Sequence, residues 1–71
     1  MFILSQDKKN LIQFEKIELS SLFKTHCLIA YGVGNGVYAT VGTYETEEQA
    51  KMEFNHIVEA LNNGQTIYEV R

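Results

Sequence analysis

The sequence predicts an α+β fold: an antiparallel β-sheet of about five or six short strands packs on one C-terminal amphipathic helix, followed by a short final strand. Short runs of β-branched and aromatic residues, separated by polar or glycine-rich turns, fill the chain as far as Tyr44. One helical pattern follows, and a last β-rich run closes the sequence. The chain has 71 residues, of which 45% are hydrophobic, so we expect residues 1–71 to form a single domain.

The first strands are predicted from residues 2–4, which are apolar, and from the polar turn at residues 7–10 that ends them. Residues 11–14 resume as an extended segment. From Ile17 onward apolar and polar residues alternate, which is typical of a half-buried strand. We expect this strand to break at the Ser20-Ser21 pair, with its continuation through Leu22-Phe23 as the alternative.

A β-hairpin is predicted where the β-rich residues 25–31 and 37–44 flank the glycine-rich residues 32–36, because glycine accepts positive φ at little cost. A phosphate-binding glycine loop would be followed by a helix, whereas here a strand follows, so a hairpin tip is favoured. The tip retains the capacity to close over a ligand. Strict alternation along residues 37–44 places Tyr38 and Tyr44 on one face and Val37, Ala39 and Val41 on the other.

The helix is predicted over residues 46–63. Thr46 and Gln49 have the spacing of a capping box, and Asn63-Gly64 supplies a C-terminal stop. Residues 66–70 then form the closing strand. One apolar stripe is expected to face the sheet, formed by Ala50, Phe54, Ile57, Val58 and Leu61.

Charge and cysteine content exclude several classes of protein. The net charge is −3 and the basic residues are scattered. Because affinity for nucleic acid comes from clustered lysine and arginine, this distribution argues against nucleic acid as a partner. Cys27 is the single cysteine, which rules out an intrachain disulfide, and no Cys/His cluster suggests a zinc site. The opening residues have the pattern of neither a signal peptide nor a membrane span, which together with the single cysteine predicts a cytoplasmic protein. We expect no cofactor.

No catalytic constellation is evident, so we predict that the protein is not an enzyme. His26 and Cys27 are strand neighbours that point to opposite faces, and Cys27 is expected to be a small buried apolar residue. The alternative is a small metal-dependent or Cys/His-based enzyme that uses His26 and His56. Carboxylates are expected mostly at the helix start or on its solvated face, namely Glu45, Glu47, Glu48, Glu53, Glu59 and Glu69.

A contact surface is suggested by Met52, whose helical position points away from the stripe, together with the tyrosines, because both residue types are enriched at interfaces. Candidate ligand or partner contacts are Tyr31, Gly34, Asn35, Tyr38, Tyr44 and Met52. Apolar groups on both faces of residues 37–44, and strand edges without proline, favour a homo-oligomer, most simply a dimer.

Two segments of the chain have distinctive sequences: residues 2–8 read Phe-Ile-Leu-Ser-Gln-Asp-Lys, and residues 42–51 contain the block Gly-x-Tyr-x-Thr-Glu-Glu-x-Ala. The first resembles the aromatic-Ile-Leu-Ser-Gln-Asp-Lys opening, and the second resembles the helix-entry block, of a family of small uncharacterised proteins of Gram-positive bacteria and their phages. The resemblance implies a phage or prophage origin and carries over no catalytic residue or ligand. This origin and the lack of a catalytic constellation together lead us to expect a binding protein. It would act by stoichiometric sequestration of a host protein or a small nucleotide signal, as in counter-defence.

Overall fold

In the part of the chain that the structure describes, five strands form one sheet, and one helix precedes the last of them. The computed structural model describes residues 1–22, 24–34 and 36–71. The strand order in the sheet is β4-β3-β2-β1-β5, and all pairings are antiparallel except the parallel pairing of β1 with β5. The predicted α+β class is therefore confirmed. The elements are β1 Phe2–Leu4, β2 Leu11–Leu22, β3 Thr25–Gly32, β4 Tyr38–Tyr44, α1 Glu47–Asn62 and β5 Ile67–Glu69.

Strand β2 is one continuous segment of 12 residues, interrupted only by a register shift between Phe14 and Lys16. The predicted break at Ser20-Ser21 is wrong, and the strand continues to Leu22 as in the alternative, while Phe23 lies outside the described residues. Ser20 pairs with Cys27 and Ser21 pairs with His26 across the β2–β3 hairpin. The ladder of β3 stabilises these serines in a strand despite their weak intrinsic preference for one.

Strand β4 contains a bulge that changes which side chains share a face. Thr40 lies opposite Ile29, whereas Gly42 lies opposite Leu28, so Val41 is an extra residue in β4. A bulge of this kind interrupts the strict alternation of side chains. The prediction that Tyr38 and Tyr44 share a face is therefore wrong: Tyr44 lies on the side of the sheet that α1 covers, and Tyr38 lies on the opposite side.

The sheet curls, so that the turn after β1 reaches β4 although β2 and β3 lie between these strands. The backbone amide of Gln6 donates to the Val41 carbonyl at 2.7 Å, and the Gln6 side-chain Oε1 atom accepts from the backbone amide of Thr43 at 3.0 Å. These two bonds satisfy outward-facing backbone groups of β4. Gln6 therefore covers the second half of the β4 edge.

Both predicted ends of the helix are confirmed. The backbone amide of Gln49 donates to Thr46 Oγ1 at 3.2 Å, and the backbone amide of Thr46 donates to Gln49 Oε1 at 3.3 Å. These two bonds complete the capping box. At the other end Gly64 has φ of 71°. The amides of Gly64 and Gln65 donate to the carbonyls of Leu61 and Ala60 in a Schellman motif.

The capping box yields a direct prediction. We expect Thr46→Ala to lower the free energy of unfolding by about 1 kcal/mol, because it leaves a first-turn amide without its acceptor. In the double variant, Gln49→Ala should add less than it costs alone, since the two side chains act as one reciprocal unit. Urea unfolding of both single variants and the double variant measures this coupling, and full additivity would show that the box does not contribute as a unit.

The helix faces the sheet in a different rotation from the one predicted. Its buried residues are Ala50, Glu53, Ile57 and Ala60, while Val58 and Leu61 are 40% and 46% exposed. Phe54 is only half-buried. The predicted stripe is therefore right for Ala50 and Ile57 and wrong for Val58 and Leu61. Small alanine side chains let the helix approach the sheet closely, and the core comprises Ile3, Leu28, Ala30, Val41, Ile57, Ala60, Tyr68 and Val70.

Candidate functional site

Tyr31 and Tyr38 form an aromatic pair on the outer face of the sheet, which is the face opposite α1. They are directly paired across β3 and β4, and their ring centroids lie 5.8 Å apart with an interplanar angle of 31°. Tyr31 is half-buried, whereas Tyr38 is 66% exposed. A large amphipathic side chain is thus displayed on a backbone that the β-ladder fixes in place.

Two side chains of β2 hold the pair in position. Tyr31 donates its hydroxyl to Glu18 Oε1 at 3.1 Å, and the Lys16 Nζ atom lies 4.7 Å from the centroid of the Tyr31 ring. The Lys16 Nζ atom also lies 3.4 Å from Glu18 Oε2, so these two side chains form an ion pair. The hydrogen bond to Glu18 raises the pKa of Tyr31. We call Lys16, Glu18, Tyr31 and Tyr38 the aromatic patch.

A second surface lies between the helix and the end of β4. It is a groove of about 530 Å³ lined by Thr43, Tyr44, Glu45, Gln49, Met52, Glu53 and His56. Met52 is 61% exposed, as its helical position predicted. We call this surface the α1–β4 groove.

At the base of the groove Glu53 is only 5% exposed, so the expectation that it lies on a solvated helix face is wrong. Its Oε2 atom accepts from the Tyr68 hydroxyl at 2.9 Å and from the Arg71 amide at 2.8 Å. Its Oε1 atom lies 3.4 Å from His56 Nδ1. The carboxylate therefore joins α1 to β5 and the residues that follow it.

The sequence held a signal for this burial, because Glu53 is three residues after Ala50 and four before Ile57, on the same helix face as both. Its hydrogen-bond donors, by contrast, come from the end of the chain. Sequence reasoning could place the carboxylate on the covered face but could not identify what satisfies it there.

Two phenols surround Glu53, and both are held in the neutral form. Burial raises the pKa of Tyr44 to about 12, with the nearby charge of Glu53 acting in the same direction. Burial and the hydrogen bond to Glu53 raise the pKa of Tyr68 to about 12. Tyr44 also donates its hydroxyl to the Arg71 carbonyl at 2.9 Å.

These shifts predict a loss of stability at alkaline pH. A pKa that is higher in the folded than in the unfolded protein stabilises the fold fully below the unfolded value of about 10, and this contribution disappears as pH rises toward about 12. We expect the free energy of unfolding to fall across this window, and Tyr44→Phe and Tyr68→Phe each to make the fall shallower. Urea titrations over the window measure this, with exposed Tyr38→Phe as the control, and an unchanged pH dependence in both buried variants would contradict it.

The five predicted contact residues that the structure describes thus occupy three separate places. Tyr31 and Tyr38 belong to the aromatic patch, and Tyr44 and Met52 line the α1–β4 groove. Gly34 lies at the predicted hairpin tip with φ of 115°. Asn35 lies outside the described residues.

The histidines and the cysteine are also separated. His26 Nδ1 lies 2.8 Å from Ser21 Oγ. Cys27, its neighbour in β3, faces the other side of the sheet and is half-buried, which is less than predicted. Within residues 1–22, 24–34 and 36–71, no three His, Cys, Asp or Glu side chains cluster in a way that suits a metal ion. In the same ranges no helix has the length and apolar character needed to cross a membrane.

Comparison of the chain with protein-family models, with curated proteins and with solved structures found no match.

Proposed function

We propose that this chain is a cytoplasmic, non-enzymatic binding protein that acts as a homo-oligomer and captures a partner protein stoichiometrically through the aromatic patch. The observation that carries the proposal is Tyr38, which is 66% exposed and packs beside Tyr31 on the outer face. Exposed tyrosine on a rigid backbone offers a large contact area at low entropic cost.

The contacts of Lys16 and Glu18 support this proposal because they pre-organise the patch. Tyr31 is fixed by a hydroxyl bond on one side and a lysine over its ring on the other. Ordering of side chains on binding costs roughly 0.5–1.5 kcal/mol for each flexible group. A patch that is already ordered avoids part of that cost, which favours a role as a binding hot spot.

Charge favours a protein over an anionic nucleotide as the captured partner. Lys8, Lys16 and Lys51 each lie within 3.0–3.4 Å of a carboxylate, so their charges are partly neutralised. The α1–β4 groove is lined by two glutamates and no lysine or arginine. Such a surface repels phosphates, whereas an acidic surface presents no barrier to a protein partner.

The biological setting we propose is that of a phage or prophage protein engaged in counter-defence, with a host protein as the partner. This part of the proposal rests on the resemblance of residues 2–8 and 42–51 to the phage-associated family described above. A small protein that sequesters its target needs only a contact surface, which is consistent with the separated positions of His26, Cys27 and His56.

The test is partner capture by the wild-type protein and by Tyr38→Ala, followed by native mass spectrometry of the captured species. We expect Tyr38→Ala to weaken binding of the identified partner by roughly tenfold or more, as for a central hot-spot residue. Ile67→Ala is the matched control, because Ile67 is 49% exposed on the same face in a different strand. Equal binding by Tyr38→Ala and wild type would overturn the proposal, as would a bound small nucleotide in place of a protein.

The alternative is a small enzyme, for which the specific observation is the contact of His56 with the buried Glu53. A carboxylate that orients an imidazole is a common element of acid–base catalysis. His56→Ala and His26→Ala distinguish the two functions, because we expect both variants to retain full partner capture. Loss of function in either variant, with Tyr38→Ala still active, would favour the enzyme.

A further inference from the structure

Strand β2 has a long edge that its neighbours leave open. Strand β1 pairs only with residues 11–13 of β2, while β3 pairs along the other side as far as Leu22. Within the described residues, no strand lies beside residues 17–21 on the side away from β3. Unpaired edges are templates for another strand, and natural proteins usually block them.

The register identifies the backbone groups that this edge presents. Residues of an antiparallel strand alternate between bonding to one neighbour and pointing away from it. Because the Leu22–Thr25 pair closes the β2–β3 hairpin, the amides and carbonyls of Ile17, Leu19 and Ser21 point away from β3. In the described part of the chain, no strand pairs with these residues from that side, and no turn or loop backbone group bonds to them.

The other edges are obstructed or short. Gln6 occupies the outward groups of Val41 and Thr43 on β4. Strand β5 has only 3 residues, and the Gln65 side chain donates to its Ile67 carbonyl. The edge of β2 at residues 17–21 is therefore the longest uninterrupted edge among the described strands.

An apolar flank of the helix lies beside this edge. Phe54, Val58 and Leu61 follow at i+4 and i+3 spacing, so they share one flank of α1. The opposite flank, with Gln49, Met52 and His56, faces β4 in the groove. Helix α1 also contacts β2, and Phe54 packs against the same core cluster as Ile17 and Leu19 of β2. We infer from this that the flank of Phe54, Val58 and Leu61 lies on the β2 side.

This flank is the part of the predicted apolar stripe that the monomer leaves uncovered: Val58 and Leu61 remain 40% and 46% exposed. An exposed apolar strip next to an unpaired strand edge combines the two features of an incomplete interface. Both features lie on the same side of the molecule, so one partner would cover them together.

We propose that a second copy of this chain occupies this site, with β2 pairing antiparallel to its own counterpart about a two-fold axis at Leu19. The proposal rests on the homo-oligomer part of the proposed function and assigns its surface. Pairing of the outward groups of residues 17, 19 and 21 would form about six main-chain hydrogen bonds.

Self-pairing is favoured over a foreign strand because the edge is complementary to itself. With Leu19 opposite its counterpart, Ile17 lies opposite Ser21 and Glu18 lies opposite Ser20 of the second copy, so no like charges are directly opposed. A two-fold operation also brings the two helix flanks to the same face of the extended sheet. The aromatic patch stays on the other face, so the dimer displays it twice.

The test is the molar mass of the full chain by light scattering behind size exclusion at low micromolar concentration. We expect a mass of twice 8.1 kDa for the wild type. Val58→Glu should give a monomer, or raise the dissociation constant by roughly tenfold or more, because it places a charge in the apolar strip. Met52→Glu is the matched control, since Met52 is exposed and apolar on the opposite flank of the same helix.

A second variant probes the edge itself. Ser21→Pro removes an outward amide without removing a bond to β3, so it should block self-pairing while circular dichroism shows a folded protein. A wild-type monomer, or a dimer that persists in both Val58→Glu and Ser21→Pro, would overturn the inference. A monomer that still captures its partner through Tyr38 would remove the homo-oligomer part of the proposed function and leave the capture intact, whereas a dimer without such capture would overturn the capture and leave this interface intact.

Discussion

Replacing Ile57 with alanine is expected to lower the free energy of unfolding by about 2–5 kcal/mol, because it leaves a cavity in the centre of the helix–sheet interface. Ile57 is only 1% exposed and belongs to the core cluster with Leu28 and Val41. A loss of this size is a large share of the stability of a small domain. Urea unfolding at a fixed protein concentration measures it.

Leu61→Ala is the matched control on the same helix. Leu61 is 46% exposed, so its truncation should cost much less than that of Ile57 in the monomer. The apolar stripe predicted from the sequence would instead place Leu61 against the sheet, where its truncation would cost about 2–5 kcal/mol. Equal losses at the two positions would show that the helix faces the sheet in the rotation predicted from the sequence.

The second large effect is expected at Glu53. Glu53→Ala removes the acceptor of the Tyr68 hydroxyl and the Arg71 amide, and we expect a loss of about 2–5 kcal/mol because buried donors left without acceptors retain their desolvation cost. The bonds at 2.9 and 2.8 Å also join α1 to β5, so this strand should lose protection against hydrogen exchange.

Glu59→Ala is the control for this effect, because Glu59 is exposed on the same helix. Its cost should stay within about 0.5 kcal/mol. Adding Tyr68→Phe to Glu53→Ala should cost less than the sum of the single changes, since the two side chains share one hydrogen bond. A cost at Glu53 as small as that at Glu59 would show that the buried carboxylate contributes nothing net to the fold.

The elements that could be predicted from the sequence depend on neighbours in the chain. The Thr46–Gln49 capping box and the stop at Gly64 each act within one helical turn, and the structure confirms both. The antiparallel pairing of β3 with β4 likewise agrees with the hairpin predicted from local glycine chemistry. Local signals of this kind are strong because few residues decide them.

What could not be predicted depends on contacts between distant residues. The bulge at Val41 moves Tyr44 to the side of the sheet that α1 covers. Gly42 beside it is a residue type that often marks a bulge, but a glycine alone does not determine the register that the paired strand β3 imposes. The burial of Glu53 requires donors from Tyr68 and Arg71, which lie 15 and 18 residues away. The sequence predicts Tyr31 and Tyr38 as separate partner contacts. It does not predict that their two rings pack against each other.

The most direct test of capture by this protein is a titration of the identified partner's activity with increasing amounts of the purified chain. Stoichiometric capture predicts a linear change that reaches a plateau at one protomer for each partner binding site, with Tyr38→Ala shifting the curve toward higher concentration. The plateau should not move with incubation time, because a sequestering protein does not turn over. A complete effect from a small fraction of an equivalent, increasing with time, would contradict the account and indicate catalysis.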